Sequence, residues 1–118
     1  MKAGVAYHLT TTEILKICSP KKDISGPYFV IYIDITDRWA IVALDHKGEH
    51  RLGIRWFWDS CGTPQSRGHS IWFIIPESLN NSILSTLGLT QNILDAINDF
   101  LNGKIKGEDL KAIALIKK

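Results

Sequence analysis

One polar loop of the chain contains two side chains with the chemistry of a nucleophilic catalyst. Residues 59–70 include Cys61 and His69, together with two glycines and a proline. An imidazole can activate a thiolate for attack on an acyl carbon, and backbone amides beside the cysteine could bind the resulting oxyanion. No family signature surrounds this cysteine, and an ordinary turn is the simpler interpretation. We therefore keep a small hydrolase built on Cys61 and His69 as an alternative and favour a protein that is not an enzyme.

Histidine and cysteine side chains also raise the question of a metal site. His46, His50, Cys61 and His69 follow one another in the middle of the chain. Their side chains suit zinc, but their spacing matches no standard pattern of zinc ligands. Glycine-rich phosphate-binding motifs are also missing from the sequence. The sequence therefore predicts neither a metal ion nor a cofactor.

A chain of 118 residues must position these side chains, and that length is typical of one domain. Thr10 and Glu13 have the spacing of a capping box and predict a short first helix. Strand-forming residues dominate as far as Pro76, whereas leucine and isoleucine recur at helical spacing after it. We predict a single α+β domain over residues 1–118, an antiparallel meander of three to five strands with helices packed on one face. Residues 108–116 fit either a helix or a strand.

Two turns set the register of the predicted meander. Residues 28–36 and 39–45 form a first hairpin around a short turn between them. The segment Asp45–Gly48 fits a type I turn followed by a glycine bulge, which pairs Asp45 with Glu49. In this register alternate residues of the three strands form one apolar face that the helices can cover. The face comprises Phe29, Ile31, Ile33, Ile35, Ala40, Val42, Leu44, Leu52, Ile54 and Trp56.

The opposite face of the meander carries the second candidate site. In the predicted register Trp39 pairs with Arg55, and Gly53 leaves a dent beside them. Arginine side chains can bind anions there, while the aromatic rings can stack on flat groups. The predicted binding residues are Tyr32, Asp34, Trp39, Arg51 and Arg55.

We therefore predict a non-catalytic binding module that uses this aromatic and arginine patch. The expected partner is a second copy of the chain in a homodimer, another protein, or a small anionic or aromatic ligand. Single-stranded nucleic acid is the alternative, with bases stacked on Tyr32 and Trp39 and phosphates bound by Arg51 and Arg55. Fourteen Lys and Arg against twelve Asp and Glu leave a net charge of +2, which is small for a nucleic-acid-binding protein.

The composition predicts a cytoplasmic protein that does not bind a membrane. The two cysteines, Cys18 and Cys61, do not make a disulfide framework. The first residues have no signal-peptide pattern, and no apolar run approaches the ~20 residues that a membrane-spanning helix needs.

Overall fold

The structure is a computed structural model that describes residues 10–58 and 62–116. The helices are α1 (Thr11–Leu15), α2 (Asn80–Ser85), α3 (Gln91–Leu101) and α4 (Gly107–Ile116), and a 3-10 turn at Glu77–Leu79 leads into α2. The strands are β1 (Ile24–Asp34), β2 (Trp39–His46), β3 (Glu49–Trp56), β4 (Gln65–Ser66), β5 (His69–Ser70) and β6 (Phe73–Ile74).

Four of the strands form one antiparallel sheet in the order β1-β2-β3-β6, and β4 pairs with β5 in a separate small hairpin. The predicted α+β fold with an antiparallel meander is thus confirmed. The first helix begins as expected, because the hydroxyl of Thr10 accepts a hydrogen bond from the backbone nitrogen of Glu13 at 3.2 Å. Residues 108–116 are helical and belong to α4. No helix in the described parts of the chain is long and apolar enough to cross a membrane.

The second hairpin has a shorter loop than predicted. Asp45 pairs with His50 rather than with Glu49, so only Lys47 and Gly48 remain in the loop. Both loop residues have a positive φ, of 52° and 83°, as a type I′ turn requires. Because side chains of a strand alternate between faces, this shift of one residue moves every side chain of β3 to the other face of the sheet.

The first hairpin differs from the prediction in its loop and in a register shift. Residues 35–38 all lie outside the ladder, and the pairing of β1 with β2 shifts near Ile31. Ile31 therefore packs on one side of the sheet and Ile33 on the other. Ile35, predicted as a core residue, is 76% exposed. The single apolar face expected for this strand is divided between the two faces of the sheet.

Both faces of the sheet are buried. One face packs against α2, α3 and α4 in a first core of Ile31, Ile41, Ala43, Leu52, Ile75, Leu84, Ala96, Ile97, Phe100 and Leu110. The other face packs against α1 in a second core of Ile14, Ile17, Ile24, Ala40, Val42, Leu44, Phe57 and Trp72. The central strand explains the arrangement, since its continuous apolar run is typical of a strand with a layer on each side.

The dent predicted at Gly53 is filled by an aromatic side chain. A Cβ atom on Gly53 would lie 3.0 Å from Leu44 Cδ2 and 3.3 Å from Trp72 Cβ. Trp72 is only 5% exposed, and its Nε1 donates a hydrogen bond to the carbonyl of Ile17 at 2.7 Å. Gly53 therefore lets Trp72 pack closely on the sheet and join it to the end of α1.

A buried arginine joins the sheet to the loop that follows β3. Arg55 is fully buried, and its Nη1 donates hydrogen bonds to the carbonyls of Pro64 at 3.0 Å and Ile71 at 2.5 Å. Its guanidinium carbon lies 5.2 Å from the centroid of the Phe57 ring. Gly62, with a φ of +68°, approaches so closely that a Cβ would lie 2.4 Å from Arg55 Nη2. The loop is thus built around this guanidinium group.

We expect Arg55→Met to lower the free energy of unfolding by about 3 kcal/mol, because two partly buried carbonyl groups lose their charged donor. Urea denaturation followed by tryptophan fluorescence measures the change. The control is Arg67→Met in the exposed β4–β5 turn, which should change stability by less than about 0.5 kcal/mol. Equal stability of the two variants would contradict the role assigned to the Arg55 guanidinium.

Candidate functional site

The residues predicted to bind a partner do not share one face of the sheet. Trp39 pairs with Trp56, and Arg55 pairs with Ala40, so Trp39 and Arg55 lie on opposite sides. Arg51 lies on the same side as Arg55, since the two are four residues apart on one strand. The prediction of a single aromatic and arginine patch is therefore wrong. Its cause is the one-residue shift of register at the second turn.

The aromatic half of the predicted patch stays together at the end of the first core. The ring centroids of Tyr32 and Trp39 are 5.4 Å apart, with the planes tilted by 37°. Both rings pack against the first core and are partly buried. Asp34 lies at the end of β1, where its Oδ1 accepts a hydrogen bond from the backbone nitrogen of Asp37 at 2.8 Å. The carboxylate of Asp34 therefore closes the turn.

The two arginines of the predicted patch bond to the protein itself. Arg51 donates from Nη2 to the carbonyl of Ile75 at 2.9 Å, and its Nη1 lies 3.6 Å from a carboxylate oxygen of Glu49. Arg55 is the buried donor already described. The platform predicted for single-stranded nucleic acid, with rings and guanidinium groups on one side, is not formed by these residues.

The loop with the predicted catalytic pair is described only in part. Cys61 lies outside the described residues, so its pairing with His69 stays a prediction. His69 is exposed in β5 and lines a cavity of about 230 Å³ together with Arg67 and Ile71. Within residues 10–58 and 62–116 no group of three or more His, Cys, Asp or Glu side chains is placed to hold a metal ion.

A surface at the Trp39 end of the sheet combines exposed apolar side chains with an arginine held in place. We call this surface the turn patch, and it consists of Ile35, Asp37, Arg38 and Trp58. Ile35 and Trp58 are 76% and 48% exposed. The guanidinium carbon of Arg38 lies 5.4 Å from the centroid of the Trp58 ring, which is a cation–π geometry.

Hydrogen bonds to backbone carbonyl groups hold the turn patch in shape. The Nε atom of Arg38 donates to the carbonyl of Phe57 at 3.0 Å, and the carbonyl of Arg38 accepts from the nitrogen of Phe57 at 2.8 Å. Arg38 has a φ of 60°, and the Asp34 carboxylate closes the turn on its other side. The Arg38 side chain therefore has a reduced conformational entropy before any partner binds. The sequence signal was the turn position of Arg38, which our prediction passed over in favour of the strand arginines.

A second polar cluster lies beside the first core. The carboxylate of Asp45 accepts a hydrogen bond from the hydroxyl of Tyr28 at 2.9 Å and lies 2.5 Å from His50 Nδ1. The imidazole of His50 stacks on Phe100, with ring centroids 4.1 Å apart. Burial, the hydrogen bond to Asp45 and the nearby negative charges of Asp45 and Glu108 raise the pKa of Tyr28 to about 12. At neutral pH Tyr28 is thus a hydrogen-bond donor that joins β1 to β2.

The titration of Tyr28 tests this cluster. We expect the Tyr28 hydroxyl to ionise with a pKa of about 12, measured as the tyrosinate absorbance of the wild type minus that of Tyr28→Phe. Asp45→Asn should lower this pKa, because the neutral amide no longer opposes a second negative charge. The exposed Asp37→Asn is the control and should leave the Tyr28 pKa unchanged. Equal Tyr28 pKa values in the two variants would contradict the arrangement.

The raised pKa also has a consequence for stability. Above its ordinary pKa of 10.0, Tyr28 of the unfolded chain loses the proton that the folded protein still holds. The unfolded state then binds fewer protons, so the stability contributed by Tyr28 falls as the pH rises from 10 to 12. Urea denaturation should show this loss in the wild type and a weaker one in Tyr28→Phe.

No protein-family model, no curated protein sequence and no solved structure matches this chain. Its function is therefore inferred from the geometry of the described residues. Among the predicted and observed candidates, the turn patch combines exposed apolar side chains with a preorganised charge.

Proposed function

We propose that the chain is a non-catalytic interaction module that forms a homodimer through the turn patch. The observation that carries the proposal is the half-exposed ring of Trp58 beside the held guanidinium group of Arg38. Tryptophan and arginine are the residues that most often dominate the binding energy of protein interfaces. Their fixed geometry lowers the entropic cost of association.

The exposure of apolar side chains supports a contact surface at this end of the sheet. Within the described residues, the large apolar side chains with high exposure are Ile35, Trp58, Phe73 and Leu79. Ile35 and Trp58 belong to the turn patch, whereas Phe73 lies on the edge strand β6. Full burial of an exposed apolar side chain contributes about 1.5–3 kcal/mol, and Ile35 and Trp58, at 76% and 48% exposure, can each contribute a part of this. Two such anchors are a reasonable basis for a dimer of moderate affinity.

The charges of the turn patch favour a second copy of the chain as the partner. An interface between two identical subunits related by a twofold axis must be complementary to itself. Asp37 and Arg38 are adjacent and oppositely charged, so each Arg38 can face the partner's Asp37 across such an axis. A net charge of +2 repels a second copy only weakly and attracts a polyanion only weakly. These features support self-association over nucleic-acid binding.

Sedimentation velocity of the full chain tests the homodimer. We expect the mass to rise from 13.3 kDa toward twice that value over concentrations of about 1–200 µM. Trp58→Ala should weaken the association at least about tenfold, as the loss of an interface anchor does. The matched control is Phe73→Ala, which removes an exposed ring outside the turn patch and should leave the dimer intact. A mass of one chain at every concentration would overturn the proposal.

A charge exchange tests whether the turn patch contacts itself. Arg38→Asp alone should weaken the dimer by about tenfold, because like charges then face each other across the twofold axis. The double variant Asp37→Arg with Arg38→Asp restores opposite charges across the axis and should recover part of the affinity, although it lacks the contacts of Arg38 with Phe57 and Trp58. If the double variant stays as weak as the single one while both remain folded, the proposed pairing of Arg38 with the partner's Asp37 is wrong.

A further inference from the structure

One aromatic ring from each strand of the main sheet lies toward the same end of one face. Trp39 pairs with Trp56. Two residues before Trp56, Ile54 pairs with Phe73. Side chains of paired residues, and of residues two apart on a strand, share a face of the sheet. Tyr32 joins them from β1, with its ring centroid 5.4 Å from that of Trp39. We call this set the aromatic row, and it consists of Tyr32, Trp39, Trp56 and Phe73.

The aromatic row lies at the rim of the first core and is partly accessible to solvent. Tyr32 and Trp39 pack against the first core, whereas Trp56 belongs to neither core. All three residues are partly exposed, and Phe73 on the edge strand β6 is 59% exposed. The helical cover of the sheet is therefore incomplete at this rim. The row shares no residue with the turn patch.

The polar tips of three of these rings have no partner among the described residues. The Tyr32 hydroxyl and the indole nitrogens of Trp39 and Trp56 form no hydrogen bond there, and none of these three atoms is closed to solvent. The corresponding atoms of Tyr28 and Trp72, by contrast, bond to other parts of the fold. A buried tyrosine or tryptophan usually finds such a partner. The three tips of the aromatic row are therefore available to donate to an acceptor outside the chain.

The strand position beside Trp39 on this face holds an acidic residue. Asp34 pairs with Trp39, and its Oδ2 accepts no hydrogen bond from the described residues. The strand arginines, Arg51 and Arg55, lie on the opposite face. A carboxylate at this place repels a polyanion such as single-stranded nucleic acid and attracts a partner with a positive charge.

We propose that the aromatic row binds a proline-rich segment of another protein in the polyproline II conformation, with a basic residue of that segment at Asp34. In this conformation the backbone carbonyls make no internal hydrogen bonds, so they can accept from Tyr32, Trp39 and Trp56. Aromatic-lined grooves are a recurrent way of recognising such segments. The fixed proline rings also keep the entropic cost of binding low.

The spacing of the strands fits this partner. Strands β1 and β3 have β2 between them, so they are two strand spacings, about 9.6 Å, apart. A polyproline II helix advances about 9.3 Å in three residues. Prolines three residues apart therefore reach the rings on β1 and β3 at the same time.

NMR of the full chain labelled with ¹⁵N tests the proposal through the indole N–H signals. The probe is an acetylated peptide of two arginines followed by nine prolines, at up to about 2 mM, which detects a Kd as weak as about 1 mM. We expect the indole signals of Trp39 and Trp56 to shift with the peptide. The signal of Trp72, which bonds to Ile17, should stay in place. The control peptide has glycine and serine in place of the prolines. Absence of a shift with the proline peptide, or an equal shift with the control peptide, would overturn the proposal.

Variants separate this site from the turn patch and from a nucleic-acid site. Phe73→Ala, which removes the most exposed ring of the row, and Trp56→Ala should each weaken peptide binding at least about fivefold. Trp58→Ala alters only the turn patch and should bind the peptide as the wild type does, whether or not the chain dimerises. Unchanged peptide binding in both Phe73→Ala and Trp56→Ala would contradict the site. Tighter binding of a thymidine oligonucleotide than of the peptide would contradict the class of partner.

Discussion

The two-residue loop of Lys47 and Gly48 is the constraint on which the rest of the structure depends. It fixes the pairing of β2 with β3, and the period of two in a strand then decides the face of every β3 side chain. Leu52 packs in the first core. Arg55 lies on the other side of the sheet, where the carbonyls of Pro64 and Ile71 accept its hydrogen bonds. One more residue in the loop would exchange these positions and would place a guanidinium group among the aliphatic side chains of the first core.

Burial of both faces restricts where a partner or ligand can bind. The three C-terminal helices cover one face, and α1 with Trp72 and the loop built on Arg55 covers the other. Most of each sheet face is therefore not free to act as a binding platform. The turn patch lies at the periphery, where the sheet ends, and both of its apolar side chains are exposed.

Much of the fold could be predicted because its signals are local. The capping hydroxyl of Thr10, the strand-forming runs and the helical spacing after Pro76 each concern neighbouring residues, and each prediction is confirmed. The register could not be chosen in the same way. Residues 40–44 are all apolar, so either register of β2 gives an apolar face, and the residues around Gly48 suit both a two-residue and a three-residue loop. Because the predicted register of β3 was wrong, the predicted binding patch does not form, although the rings of Tyr32 and Trp39 do pack together.

The amino-acid sequence by itself determined the class of the fold and the places of the turns, because backbone preferences and side-chain periodicity act over a few residues. Only the tertiary structure decided which surface each arginine joined and which apolar side chains remained exposed. The Trp72 side chain packs on Gly53, the carbonyl of Ile71 accepts a hydrogen bond from Arg55, and the carbonyl of Phe57 accepts one from Arg38. These partners are distant in the chain or follow from the register, and side-chain patterns that repeat every two or four residues carry no information about them.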